Sequence, residues 1–131
     1  MLQGHLREDE HAIVAFDLVC RDGTRCAVAA VIDTGFNGQV SLSRKVANTL
    51  DLALTVEGTM EMELANGTVV EEHVYSGDLH FDGQRLTVEI ILTDAEDNFI
   101  GTGLLTGKVL LINFATREVT IRTHPVELST S

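Results

Sequence analysis

The chain has 131 residues, enough for one domain with a modest core; 44% are hydrophobic but only 5% aromatic, with no Trp, so the core is built from Val, Ile and Leu, which favours sheet. Nine Lys and Arg against twenty Asp and Glu give a formal charge of −11, which repels nucleic-acid phosphates and anionic membranes and excludes both as expected partners. No stretch approaches the length of a membrane span, and Met1 to Glu10 carries no apolar signal segment, so a cytoplasmic protein is expected.

Residues 1–10 read as a flexible N-terminal tail ahead of a single domain over 11–124. Ile13 to Val19 and Ala27 to Ile32 bracket an Asp22-Gly23 turn and predict a β-hairpin that delivers the chain to Asp33. Cys20 and Cys26 flank this turn. A two-residue turn puts their sulfurs on opposite faces and a three-residue loop brings them opposite each other; two free thiols are the expectation for a reducing cell. Asp33 ends the apolar run, where a charge is costly unless it is hydrogen-bonded or paired, and Gly35 lets the backbone turn tightly beside it. An acid held in this way suits proton transfer, while a turn aspartate capping its own loop is the plainer alternative.

Ser43 is the expected N-cap of a short helix over Arg44 to Leu50, with Val46, Ala47 and Leu50 facing inward. Thr59 to Val74 carries the clearest hairpin signal: Met60, Met62 and Leu64 alternate with Glu61, Glu63 and Ala65 before Asn66-Gly67. A two-residue turn there sets Glu61 opposite Glu72, an unfavourable like-charge pair. Further hairpins are expected from Leu79 to Phe81 with Leu86 to Leu92, turning at Asp82-Gly83, and from Val109 to Phe114 with Val119 to Arg122, before a C-terminal tail at 125–131. Short strands with one or two short helices predict a mainly β domain, a partly closed barrel.

Several chemistries find no support. Asp94, Glu96 and Asp97 lack the glycine and distal Glu of a calcium loop. The five histidines show no metal-ligand spacing. Ser41 and Ser43 sit in no Gly-x-Ser-x-Gly elbow, and the glycines around Lys108 miss the spacing of a phosphate-binding loop. No metal and no cofactor are expected.

Three features, in order, resemble the retropepsin-like aspartic proteases, specifically their small single-domain prokaryotic members. They are Val31-Ile32-Asp33-Thr34-Gly35-Phe36-Asn37-Gly38, the hairpin tip Ala65-Asn66-Gly67-Thr68, and Asn98-Phe99-Ile100-Gly101 followed by Leu104-Leu105. The resemblance covers Ala12 to Arg122 and implies a retropepsin-like acid-protease half-barrel. It further implies Asp33 as catalytic acid and base, a Thr34 hydroxyl that bonds across a two-fold axis, and Gly35 admitting the substrate backbone. Phe36, Asn37 and Gly38 would adjoin substrate, with Asn37 on its backbone. Ala65, Asn66, Gly67 and Thr68 would form the tip of a flap lined by Met60, Met62 and Val69, and Ile100-Gly101 would cross beneath the catalytic loop.

The chemistry of that class needs two carboxylates sharing a proton, and this chain has one Asp-Thr-Gly and no Asp-Ser-Gly. The implied enzyme is therefore a homodimer in which Asp33 meets its own copy, hydrolysing peptide bonds. Phe36 and Gly38 depart from the viral pattern, as do Thr102 and Gly103, which stand where viral enzymes carry ion-pairing residues. A catalytically silent dimerisation or peptide-binding module is the alternative.

Overall fold

The apolar alternation along the chain resolves into short strands. The computed structural model describes residues 1–123, and in them the order is β1 (Leu2–Leu6), β2 (Ala12–Val19), β3 (Arg25–Ile32), β4 (Val40–Ser43), α1 (Arg44–Leu50), β5 (Thr55–Glu63), β6 (Val69–Phe81), β7 (Gln84–Thr93), β8 (Phe99–Ile100), α2 (Thr102–Leu105), β9 (Lys108–Asn113) and β10 (Glu118–Thr123). The expected C-terminal tail at 125–131 lies outside the described residues. One sheet runs β5-β6-β7-β4-β8-β3-β2-β1-β10-β9, and a short pairing of β2 with β6 curls it into a partial ring. The fold is thus the expected mainly β half-barrel with two short helices, not a complete barrel. No helix among the described residues is long and apolar enough to cross a membrane.

Alternate residues of the strands meet inside the ring. Leu18, Leu42, Leu79, Phe81, Ile90 and Ile100 are fully buried, and Phe16 meets Phe81 edge-on with ring centroids 6.1 Å apart. Each fully buried side chain of this size contributes about 1.5–3 kcal/mol through loss of apolar surface to water. Ala47 of α1 is buried, while Val46 and Leu50 pack half-buried against the core. Ser43 occupies the N-cap position without a side-chain cap bond; instead its amide donates to Asn98 Oδ1 at 2.8 Å.

Three expectations need correction. Residues 1–10 are not a loose tail: β1 pairs with β10 on one side and β2 on the other, and Leu6 is buried. The polar count of this segment hid a period of two in which Leu2, Gly4 and Leu6 turn inward and Gln3 and His5 outward. Cys20 and Cys26 are not free thiols but a disulfide, with Cα atoms 6.5 Å apart. The three-residue loop is 21–23 rather than the 22–24 that would set the cysteines opposite each other: Cys20 stands opposite Thr24, its amide bonding the Thr24 carbonyl, while Cys26 pairs with Leu18, and the sulfurs meet diagonally on one face.

The third correction concerns the Asn66-Gly67 hairpin. Its loop spans three residues, Ala65 to Gly67, closed by Leu64 N–H to Thr68 O at 2.7 Å, with Gly67 at φ 84°. Glu61 therefore faces Glu71 rather than Glu72, and Val69 falls on the opposite face from Met60 and Met62. One extra loop residue shifts the register by one and moves each β6 side chain to the other face. By contrast Asp82-Gly83 is the expected two-residue turn, with positive φ at both positions, 51° and 78°.

Candidate active site

Asp33 emerges half-buried from the end of β3, directly after the buried Val31 and Ile32. What fixes it is the threading of β8. This two-residue strand lies parallel to β3, Val31 opposite Phe99 and Ile32 opposite Ile100, and antiparallel to β4, Val40 opposite Ile100. The connection 33–39 must therefore arch around the end of β8. Asp33 N–H donates to Ile100 O at 2.9 Å, Gly101 N–H to Gln39 O at 3.0 Å, Thr102 N–H to Phe36 O at 2.8 Å, and Gly103 N–H to Gly38 O at 3.1 Å.

Within the arch the Asp33 carboxylate accepts the Gly35 amide through Oδ1 at 2.9 Å, and Phe36 N–H donates to Asp33 O at 3.1 Å. These bonds close a tight turn on Asp33. Thr34, Gly35 and Asn37 lie on the exposed side of the loop. Phe36 is half-buried, its ring folded onto two glycines: a Cβ on Gly38 would lie 2.5 Å from Phe36 Cζ, and one on Gly101 would lie 2.6 Å from Cδ2. Phe36 and Gly38, the two departures in the loop, are thus one packing unit. A Cβ on Gly101 would also collide with the carbonyls of Phe36 and Gly38, so the crossing beneath the loop admits glycine alone.

The structure brings Asp33 through Gly38 together with Ile100 and Gly101. Ala65, Asn66, Gly67 and Thr68 stand apart at the exposed tip of the β5–β6 hairpin, where Thr68 N–H donates to Asn66 Oδ1 at 2.9 Å. The third motif includes Asn98, but the sequence reading gave it no role. Its buried amide accepts from Ser43 N–H and donates from Nδ2 to Ala29 O at 3.0 Å, stitching the entry of β8 to both neighbouring strands. A polar residue isolated just before Phe99-Ile100 was the available signal. A groove of about 460 Å³ lies elsewhere, between Ala27 to Ala29 and the Lys45–Leu50 face of α1. Asp33 does not line it.

A family model described as Aspartyl protease matches residues 19–108, a span containing the arch, the hairpin tip and Gly101. Among solved structures the chain is similar to a retropepsin-like aspartic protease from Rickettsia conorii, with 14% identity and a TM-score of 0.62, over 91% of this chain and 87% of that one. It is also similar to EIAV protease complexed with an inhibitor, with 15% identity and a TM-score of 0.53, over 70% of this chain and 83% of that one. Likeness at these identities speaks to the fold. No curated protein sequence gives a significant match.

Proposed function

Because the chain belongs to the aspartyl protease family and has the retropepsin-like fold, we propose that it is an aspartic endopeptidase, active as a homodimer that contributes one Asp-Thr-Gly loop per subunit. The observation that carries this reading is the arch itself, which holds the Asp33 carboxylate by the Gly35 amide while leaving it half-exposed and, among the described residues, without a basic partner. Two such loops apposed about a two-fold axis set two carboxylates around one water. Like charges at contact do not both ionise, so the pair shares a proton. The ionised Asp33 takes a proton from the water as it attacks the scissile carbonyl, and the protonated copy donates a hydrogen bond to the carbonyl oxygen. The proton then passes to the leaving amine.

In this reading Thr34 bonds across the axis, Asn37 meets the substrate backbone, and Ala65 to Thr68 close over an extended peptide and exclude water. Thr102 and Gly103 bond back to the arch of their own subunit, which leaves the dimer to other contacts. That observation favours the second reading, a catalytically silent dimerisation or peptide-binding module. A disulfide persists in oxidising compartments and is reduced in the cytoplasm, so Cys20–Cys26 favours an oxidising setting over the cytoplasmic one expected from composition.

The test is cleavage of a mixed peptide library from about pH 4 to 7.5 by the wild type and by Asp33→Asn, with the solution mass of each recorded. The carboxamide oxygen introduced by this substitution still accepts the Gly35 amide, so the fold is retained while cleavage falls by at least about 100-fold. A dimer that cuts nothing establishes the silent module; a strict monomer that cuts overturns the shared dyad.

A further inference from the structure

Strand register carries one face of the sheet from Asp33 to the hairpin. Residues paired across neighbouring strands point the same way. Val31 pairs with Phe99, Phe99 with Ser41, Ser41 with Ile91, and Ile91 with Val74. Asp33 follows Val31 by two residues and continues the ladder through its bond to Ile100 O, so its side chain leaves from this same face. On the hairpin the face continues through Met60 opposite Glu72 and Met62 opposite Val70. All four are half-buried, whereas Glu61, Glu63 and Glu71 on the other face are exposed.

Glu72 is therefore a single carboxylate set among Met60, Met62, Val70 and Val74, on the side of the sheet from which Asp33 projects. Among the described residues no ion pair engages it. Its neighbours differ: Glu71 accepts the Thr59 hydroxyl at 2.8 Å, and Asp78 pairs with Arg85 at 2.8 Å. A half-buried carboxylate with apolar neighbours has lost water without gaining a partner, and a cation arriving there restores what was lost.

We infer that Glu72 is a specificity-determining residue that receives a Lys or Arg side chain of a peptide lying under the hairpin. The cationic head meets the carboxylate and the methylene stem lies along Met60 and Met62, an arrangement long basic side chains adopt readily. The inference rests on the protease reading and adds its substrate class, peptides with a basic residue near the scissile bond. The charge of −11 draws the same peptides from solution.

The experiment uses peptides that differ only in carrying Lys, norleucine or Glu at each position near the scissile bond in turn. Cleavage is measured with the wild type, Glu72→Gln and Glu72→Lys, and binding by fluorescence anisotropy with Asp33→Asn, alone and combined with each Glu72 change. At one position Lys is expected to exceed Glu by about tenfold or more. Glu72→Gln abolishes this discrimination and Glu72→Lys inverts it. A preference that survives both substitutions, or cleavage with no charge discrimination, overturns the inference while the protease reading stands. Binding that is Lys-selective and Glu72-dependent in a protein that cuts nothing supports the subsite and overturns the protease reading. Peptides neither bound nor cut overturn both.

Discussion

The amide of Asp33 donates to the carbonyl of Ile100 at 2.9 Å, so the candidate catalytic aspartate hangs from a strand that arrives from the last third of the chain. Nothing local to the Asp-Thr-Gly turn supplies that support. The position of the carboxylate depends on β8 passing between β3 and β4, and on Gly101 letting the chain leave beneath the arch.

Gly101→Ala tests this dependence. Gly101 has an extended backbone, φ −110° and ψ −179°, so alanine meets no conformational penalty there and the clash with the Phe36 and Gly38 carbonyls acts alone. Overpacking of this kind costs about 1–3 kcal/mol, and the obstacles here are backbone atoms with little freedom to retreat. A lowered urea midpoint and a loss of peptide cleavage larger than the unfolded fraction explains are expected; an unchanged midpoint would show that the arch is not packed on Gly101.

Reduction of Cys20–Cys26 tests the clip at the tip of the β2–β3 hairpin. The closed loop is short, and chain-entropy accounting for a loop of this size gives about 2 kcal/mol. The clipped tip also holds the α1–β5 connection, through Arg21 N–H to Asp51 O at 2.9 Å and Ala53 N–H to Val19 O at 3.1 Å. Dithiothreitol, or Cys20→Ser with Cys26→Ser, should lower the urea midpoint to the same extent. Two reactive thiols in the untreated native protein would contradict the bridge.

Acid should loosen the junction between the β1–β2 turn and the loop before β8. Arg7 donates to Asp9 and Asp97, holding Asp9 down to about 2 from an ordinary 3.8 and Asp97 below its ordinary value. A carboxylate depressed in the folded state stabilises it above the ordinary pKa and loses that contribution as pH falls toward the folded value. The wild-type urea midpoint should therefore fall between about pH 4 and pH 2. In Arg7→Gln the fall should be shallower, with a remainder from Asp78, which Thr87 and Arg85 depress in the same direction. The pairs are well exposed, so the difference should be small and should shrink in 1 M salt, where screening acts over about 3 Å. Parallel pH profiles for the two proteins would rule out the junction as their source.

The hairpin carries a like-charge pair, Glu61 opposite Glu71, on its exposed face. Glu61→Lys replaces repulsion by attraction across the strands and should raise stability by about 0.2–1 kcal/mol. Glu72→Lys serves as the register control. Were the loop two residues long, Glu72 would be the partner of Glu61, and the benefit would follow that position instead.

Local patterns were legible without the fold. The Asp82-Gly83 turn was readable because two consecutive positive φ angles suit few residue pairs. The mainly β class followed from many short Val-, Ile- and Leu-rich runs, and Asp33 with Gly35 stood out because a charge at the end of an apolar run demands a reason, while the half-barrel and Gly101 came from the family resemblance. The tertiary structure decided whatever depends on a partner distant in the chain. Asn66-Gly67 favours a two-residue turn, and only the pairing of β5 with β6 settled that the loop takes three residues, so that Val69 turns away and Val70 and Glu72 turn toward the face of Asp33. Phe99-Ile100 is too short to announce itself as a strand, β1 is a strand only because β2 and β10 flank it, and Cys20 reaches Cys26 only through the diagonal register. Backbone turns are determined within a few residues by steric limits on φ and ψ. Register and threading are determined by which distant edge completes the hydrogen bonds and buries the apolar face, and that information is spread over the whole chain.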